Sequence, residues 1–148
     1  MSVPVHATDY FKAARERMTQ ATLLRRSRHY ALAMYVAGVA AECMLRAYHR
    51  AGSNFDERYN IADLFKACDP DKLGDAAKNR LRGPIQTIHL LWQNRYRFFS
   101  QDRLRCHLKA LGPHRRDAKK GGDFLKEKCV DLENACLTVV TIGVQRWQ

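Results

Sequence analysis

The longest apolar run in the chain lies within Tyr30–Tyr48, which reads YALAMYVAGVAAECMLRAY. Two apolar stripes recur in it at steps of three and four residues, the spacing of side chains on one side of an α-helix. One stripe comprises Tyr30, Met34, Ala37, Ala41, Met44 and Tyr48, and the other comprises Leu32, Val36, Val39 and Cys43. Because two sides are apolar, the pattern predicts a central helix with neighbours on both of them.

Helical periodicity continues before and after this central helix. A stripe that begins at Tyr10 predicts a first helix, which ends near Arg25. Further segments predicted to be helical are a short helix after Asn60, a major helix from Pro84 to Phe99, an amphipathic helix that follows Ser100, and a last helix over Asp123–Trp147. The sequence therefore predicts an all-α fold, a four- to five-helix up-and-down bundle in which residues 1–148 form a single domain.

Turn-forming and capping residues set the predicted helix ends. Gly83 and Pro84 are expected to break the chain before the major helix, because proline lacks the backbone N–H that a helix interior needs. Asn60 and Ser100 are predicted to cap the helices that follow them, and Ser27 is predicted to cap the central helix.

The charge balance is strongly basic, since 26 Lys and Arg residues against 15 Asp and Glu residues give a formal net charge of +11. This surplus favours a polyanionic partner, and an anionic membrane surface would suit the same charge. The five cysteines are scattered without a CxxC pair, which predicts buried thiols and neither a disulfide framework nor a metal site. The N-terminus lacks the pattern of a signal peptide, and Ala31–Ala41 is shorter than the roughly 20 residues that span a bilayer. We therefore expect a cytoplasmic protein that does not bind membranes.

Three groups of cations are candidate nucleic-acid-binding residues. The first lies at the corner between the first two helices, the second follows Trp92, and the third lies in the glycine-bounded loop Gly112–Gly122. Their members are Arg25, Arg26 and Arg28, then Arg95 and Arg97, and finally Arg115, Arg116, Lys119 and Lys120. Arginine and lysine in such groups contact phosphate oxygens in nucleic-acid complexes, and loops of this composition are also common as solvated segments.

Glu42 is the carboxylate within the apolar part of the central helix. A carboxylate in such surroundings is rarely buried without a partner. One interpretation is an ion pair with an arginine, for which Arg95 on a packed helix is a candidate. The other is that Glu42 orients a basic group in a cleft.

Three features of the sequence resemble the HEPN domains (higher eukaryotes and prokaryotes nucleotide-binding). The central helix, with AMYVAGVAAECMLRAY, is similar to the second helix of that family, which is rich in small residues and often ends in a Glu-Cys-x-Leu-Lys/Arg pattern. A short segment containing Leu64 follows, and WQNRYRF then resembles the Trp-x-x-x-Arg-Tyr of many members. The likeness covers about Tyr10 to Phe99, and Ser100–Gly122 looks like an insertion with a basic loop.

The resemblance implies a small helical bundle that dimerises around a cleft, in which Glu42, Trp92 and Tyr96 have structural or orienting roles. Many members of the family are similar to metal-independent ribonucleases, and others bind nucleotides or RNA without cleaving them. Neither a metal nor a cofactor is implied, and a nucleotidyltransferase or antitoxin is an implied partner. Active members carry an Arg and a His separated by four to six residues.

Arg82 and His89, with six residues between them, are the pair that fits this spacing, whereas Arg103 and His107 have three. A His with a pKa near neutrality can move the proton of a 2′-hydroxyl, and an Arg can hold the phosphate. Gly83 and Pro84 stand where the family has a polar residue, which indicates a degenerate site.

Three functions follow as hypotheses. The first is a dimeric module that binds RNA or a nucleotide, the second is a ribonuclease of the toxin or defence type, and the third is a helical adaptor for protein interactions.

Overall fold

The structure, a computed structural model, describes residues 4–49, 60–111 and 123–147. These residues form seven α-helices and one short 3-10 helix, and within them β-type pairing is limited to an isolated bridge between His49 and Cys68. The elements are α1 (Ala7–Arg26), α2 (Tyr30–Ala47), α3 (Ile61–Lys66), α4 (Pro70–Leu73), α5 (Asp75–Leu91), the 3-10 helix (Asn94–Phe98), α6 (Gln101–Ala110) and α7 (Phe124–Arg146). The predicted all-α class is confirmed.

Helix α2 is the centre of the core, as its apolar pattern predicts. It packs against α1, α7 and the 3-10 helix. Every residue of its first stripe, from Tyr30 to Tyr48, is buried. The second stripe is different: Leu32 is 50% exposed, and Val36, Val39 and Cys43 are half-buried. Among the described residues this side of α2 is therefore only partly covered.

By length and composition α2 is also the one helix in the described ranges that is long and apolar enough to cross a membrane. Inside the protein, 67% of that window is buried. The core helix of a globular protein has the same composition.

Helix α7 is joined to α1 and α2 near its C-terminal end and to α1 in its middle. Near its end, the Trp147 ring stacks on Phe11 of α1 at 4.4 Å between centroids and meets the edge of Tyr48 at 5.6 Å. The Tyr48 hydroxyl donates to the Gly143 carbonyl at 2.6 Å, so the ends of α2 and α7 are joined directly. In the middle of α7, the buried Glu133 accepts hydrogen bonds from Arg25 and Thr22 of α1.

Helix α5 corrects the predicted break at Gly83 and Pro84. It runs without interruption from Asp75 to Leu91, with Pro84 inside it. The reason is a buried stripe that keeps its register across the proline, formed by Ala77, Leu81, Ile85 and Ile88. Proline in a helix costs roughly 3 kcal/mol, and burying two or three aliphatic side chains on the same face offsets that cost.

The predicted C-terminal end of the major helix, at Phe99, is also wrong, because α5 ends at Leu91. The backbone leaves the helix at Trp92, with φ of −129°, and stays extended through Gln93 before the 3-10 helix begins. The indole N–H of Trp92 donates to the Tyr35 carbonyl of α2 at 3.1 Å. Trp92 thus leaves α5 in order to pack on α2.

Helix α2 begins differently from the prediction. Ser27 is the C-terminal cap of α1, and Arg28 adopts φ of 64° in the tight turn that leads to α2. The amide of Tyr30 donates instead to the side chain of Gln101, at 2.7 Å. The predicted caps Asn60 and Ser100 are confirmed, since their side chains accept from Asp63 N and Arg103 N.

Three of the five cysteines, Cys68, Cys129 and Cys136, are buried as predicted, and all five thiols are free. Burial raises the pKa of Cys68 and of Cys129 to about 12. Cys106 is exposed on α6.

Candidate functional site

The 3-10 helix presents cations and an aromatic ring to solvent because its inner side is fixed to α2. Tyr96, only 1% exposed, forms that inner side. Since a 3-10 helix has about three residues per turn, its other positions face outward. Arg95, Arg97 and Phe98 are exposed, and Phe98 is the most exposed large apolar residue described, at 75%.

Three arginines lie against two phenylalanines at this place. The Arg97 guanidinium lies over the Phe98 ring at 4.7 Å from its centroid. The guanidinium groups of Arg95 and Arg103 lie over the Phe99 ring at 5.7 Å and 4.8 Å. We call these five residues the basic aromatic edge. Cation–π contacts orient the guanidinium groups while leaving their N–H donors available to an anion.

Helix α6 holds Arg103 in this position. Its first turn is capped by Ser100, whose side chain accepts from Arg103 N at 3.1 Å. Its first residue, Gln101, is bound to the start of α2. The edge is therefore fixed to α2 from two directions, through Trp92 before it and Gln101 after it.

Behind the edge, Tyr96, Phe99 and His107 form a cluster of three rings, which we call the three-ring cluster. Its centroids are 5.4 Å apart for Tyr96 and Phe99, 5.6 Å for Tyr96 and His107, and 5.7 Å for Phe99 and His107. Burial raises the pKa of Tyr96 to about 12. Burial, followed by the charges of Arg95 and Arg103, lowers the pKa of His107, which favours a neutral imidazole at pH 7.

Arg82 and His89, the predicted catalytic pair, are both exposed on α5. Because α5 is continuous, their seven-residue spacing places them two turns apart, about 10 Å along the axis. The Arg82 Nε donates to the Asn79 side chain at 3.3 Å. In one copy of the chain, therefore, the two side chains lie on the same side of α5. The distance between their positions along the axis is larger than one phosphate group.

The other predicted cations have different surroundings. Arg25 is held in the ion pair with Glu133, whereas Arg26 and Arg28 are exposed at the corner between α1 and α2. Arg95 and Arg97 belong to the basic aromatic edge. Arg115, Arg116, Lys119 and Lys120 lie outside the described residues.

Glu42 forms an ion pair with Arg46, one turn further along α2, at 3.2 Å. Arg95, its candidate partner on another element, hydrogen-bonds the side chain of Gln93. Of the residues with predicted structural roles, Trp92 and Tyr96 are both buried against α2.

Sequence reasoning missed Phe98, Arg103 and His107 as site residues. Phe98 lies off the apolar stripe of its segment, which was the signal that it faces solvent. The three-residue gap between Arg103 and His107 places both on one side of a helix, and this spacing was the signal that they share a surface.

No protein-family model matches the chain, and no curated protein or solved structure is significantly similar to it. Within residues 4–49, 60–111 and 123–147, no three His, Cys, Asp or Glu side chains are grouped so that they could hold a metal ion.

Proposed function

We propose that this chain is a nucleic-acid-binding module of the HEPN type, an up-and-down helical bundle that binds single-stranded RNA on its basic aromatic edge. The observation that carries the proposal is the exposed Phe98 ring with the Arg97 guanidinium 4.7 Å from its centroid. A protein that binds single strands combines an aromatic surface for base stacking with cations for the phosphates, and both occur here within one short element.

Charge and exposure support this proposal together. A phenylalanine that is 75% exposed gains almost nothing from folding, so its ring is available to stack on a base. Arg97 lies over this ring, and Arg95 and Arg103 lie over the neighbouring Phe99, in a chain whose net charge is +11. Each phosphate that such a cation neutralises releases a counterion, which favours binding at low salt.

Phe98→Ala is expected to weaken the binding of a short single-stranded RNA by about fivefold or more, because one stacked base contributes about 1–3 kcal/mol. Arg97→Gln is expected to weaken binding and to lower the slope of log affinity against log salt by about one. Both can be measured by fluorescence anisotropy with a labelled oligonucleotide at several salt concentrations.

Leu137→Ala is the matched control, because Leu137 is an apolar side chain on α7 that is 46% exposed. It should leave RNA affinity unchanged. RNA affinity that is equal in the wild type, Phe98→Ala and Leu137→Ala proteins would contradict the proposed binding surface.

The ribonuclease alternative is decided with the same RNA. Incubation with EDTA should leave it intact if the module only binds. Cleavage that His89→Ala or Arg82→Ala abolishes would instead make the chain a metal-independent ribonuclease and would assign the catalytic roles to α5.

We further propose that the chain acts as a homodimer, with a nucleotidyltransferase or antitoxin as a second kind of partner. A groove of about 380 Å³ between α1 and α2 supports the homodimer. It is lined by Gln20, Leu23, Leu24, Ser27 and Val36. None of these residues is charged, so two copies that each carry +11 can pack these side chains together without placing like charges in contact.

Leu32→Glu is expected to convert the dimer to a monomer, because it places a charge on the half-exposed stripe of α2 beside this groove. Light scattering over a range of protein concentrations measures the mass. Leu90→Glu, at a site on α5 that is 47% exposed, is the control and should leave the mass unchanged. A wild-type protein that is monomeric at high concentration would contradict the dimer.

A further inference from the structure

Two buried polar atoms of the three-ring cluster have no hydrogen-bond partner among the residues that the structure describes. They are the hydroxyl oxygen of Tyr96 and the Nε2 atom of His107. The Tyr96 side chain is 1% exposed, and buried tyrosine hydroxyls normally have a partner. Their rings meet edge to face at 5.6 Å, so both unpartnered atoms belong to one small region of the protein.

The charge around this region is positive. Arg95 and Arg103 lie over Phe99, and the Phe99 ring is within 5.7 Å of His107 and 5.4 Å of Tyr96. The described ion pairs include neither arginine, and neither residue is buried. An anion with several oxygens matches this arrangement, because it can accept hydrogen bonds from the buried pair and face two guanidinium groups at the same time.

We propose that the three-ring cluster binds a phosphate monoester, the terminal phosphate of an RNA strand or of a nucleotide. This proposal rests on the proposed RNA-binding function and names the group that the same surface recognises most strongly. The Tyr96 hydroxyl and the His107 Nε2–H donate to phosphate oxygens, and Arg95 and Arg103 neutralise the dianion. The half-buried Phe99 ring turns aside to admit the ligand.

A terminal phosphate fits this site better than an internal one for two reasons. A monoester carries close to two negative charges at pH 7, which match two arginines, whereas a diester carries one. A terminal phosphate also has three oxygens free of the sugar and projects from the end of the strand. It can therefore reach donors that lie behind Phe99, while an internal phosphate is held between two sugars.

The test compares four ligands with the wild-type chain: one RNA sequence with a 5′-phosphate, with a 3′-phosphate and with hydroxyl ends, and adenosine monophosphate as a competitor. At least one phosphorylated RNA is expected to bind about tenfold more tightly than the RNA with hydroxyl ends, because hydrogen bonds to a charged group are strong. The competitor shows whether a free nucleotide is also a ligand.

Tyr96→Phe is the decisive variant, since the hydroxyl that it removes has no partner within residues 4–49, 60–111 and 123–147. It should keep or raise the melting temperature and lower the affinity for phosphorylated RNA to that of the RNA with hydroxyl ends. His107→Phe keeps a ring in the cluster and should have the same effect. Tyr35→Phe, which removes the hydroxyl of a half-buried tyrosine on α2, is the control and should retain the preference.

The two proposals fail differently. Equal affinity of the wild type for phosphorylated and hydroxyl-ended RNA would overturn the phosphate site while leaving RNA binding intact. A preference for phosphate that Tyr96→Phe and His107→Phe both retain would overturn the assignment to this cluster. Absence of RNA binding, with adenosine monophosphate still bound in a Tyr96-dependent way, would overturn the proposed RNA function and support the site.

Discussion

Gly38→Ala is expected to destabilise the protein by about 3 kcal/mol, because a Cβ atom at this position would overlap the Trp92 ring. It would lie 1.9 Å from the indole Nε1 atom and 2.1 Å from Cδ1. The indole is rigid and 8% exposed, so it cannot turn away without leaving its site on α2. Displacing it would also break the hydrogen bond to the Tyr35 carbonyl.

Gly83→Ala is the matched control, because it makes the same change in the interior of α5, where a Cβ would meet nothing within 4 Å apart from its chain neighbours Arg82 and Pro84. Alanine loses less backbone entropy than glycine on folding, but its Cβ contacts the ring of the following proline, so the two effects oppose each other and stability should change by less than about 1 kcal/mol. Urea denaturation followed by circular dichroism gives both free energies of unfolding. A loss of stability in Gly83→Ala as large as that in Gly38→Ala would contradict the close packing of Trp92 on α2.

Arg25→Met is expected to destabilise the protein by about 3 kcal/mol, because it leaves the Glu133 carboxylate buried with Thr22 as its remaining hydrogen-bond donor. Removing both charges in Arg25→Met/Glu133→Leu should restore most of this loss, since an apolar pair of similar volume needs no neutralisation. The measurement is again the free energy of unfolding.

Arg26→Met serves as the control for the ion pair. Arg26 is the neighbouring arginine on α1 and is exposed, so its loss should change stability by less than about 0.5 kcal/mol. A double variant as unstable as Arg25→Met alone would contradict this explanation. It would show that the aliphatic stem of Arg25 stabilises the contact between α1 and α7 by packing, and that neutralisation of the buried charge does not.

Periodicity was sufficient to predict the helices whose partners lie along their whole length. The stripes of α1, α2 and α7 identified these elements, and most of the residues named in them are buried. Periodicity gave a wrong prediction where the packing of a single side chain determines the backbone conformation. The apolar pattern continues through Trp92 and so predicts that the helix continues. Instead, the helix ends at Trp92, whose indole packs against Gly38 of α2.

The predicted cap of α2 was wrong for a related reason. Ser27 is the residue type that caps helices, and it is close in sequence. The donor at Tyr30 is instead satisfied by Gln101, which is 71 residues away. Local sequence carries no signal for such a partner, because it exists only after α6 has packed beside α2.

The sequence predicted some of the cations that belong to the candidate site, but it did not predict how the backbone arranges them around the aromatic rings. Arg95 and Arg97 were identified as cations in a basic chain. The contact between Arg97 and Phe98 depends on a 3-10 helix, and the meeting of Phe99 with Arg103 depends on the turn at Ser100. Neither backbone feature follows from hydrophobic spacing.

The anchoring of Trp92 has a consequence for how the 3-10 helix, the proposed RNA-binding segment, moves. The amide of Tyr96 donates to the Gln93 carbonyl at 3.0 Å, directly after the residue that is fixed to α2. We expect its hydrogen to exchange slowly with solvent, because Trp92 and Tyr96, on either side of this turn, are both buried. The protein would then meet its ligand with a preformed surface and lose little conformational entropy on binding.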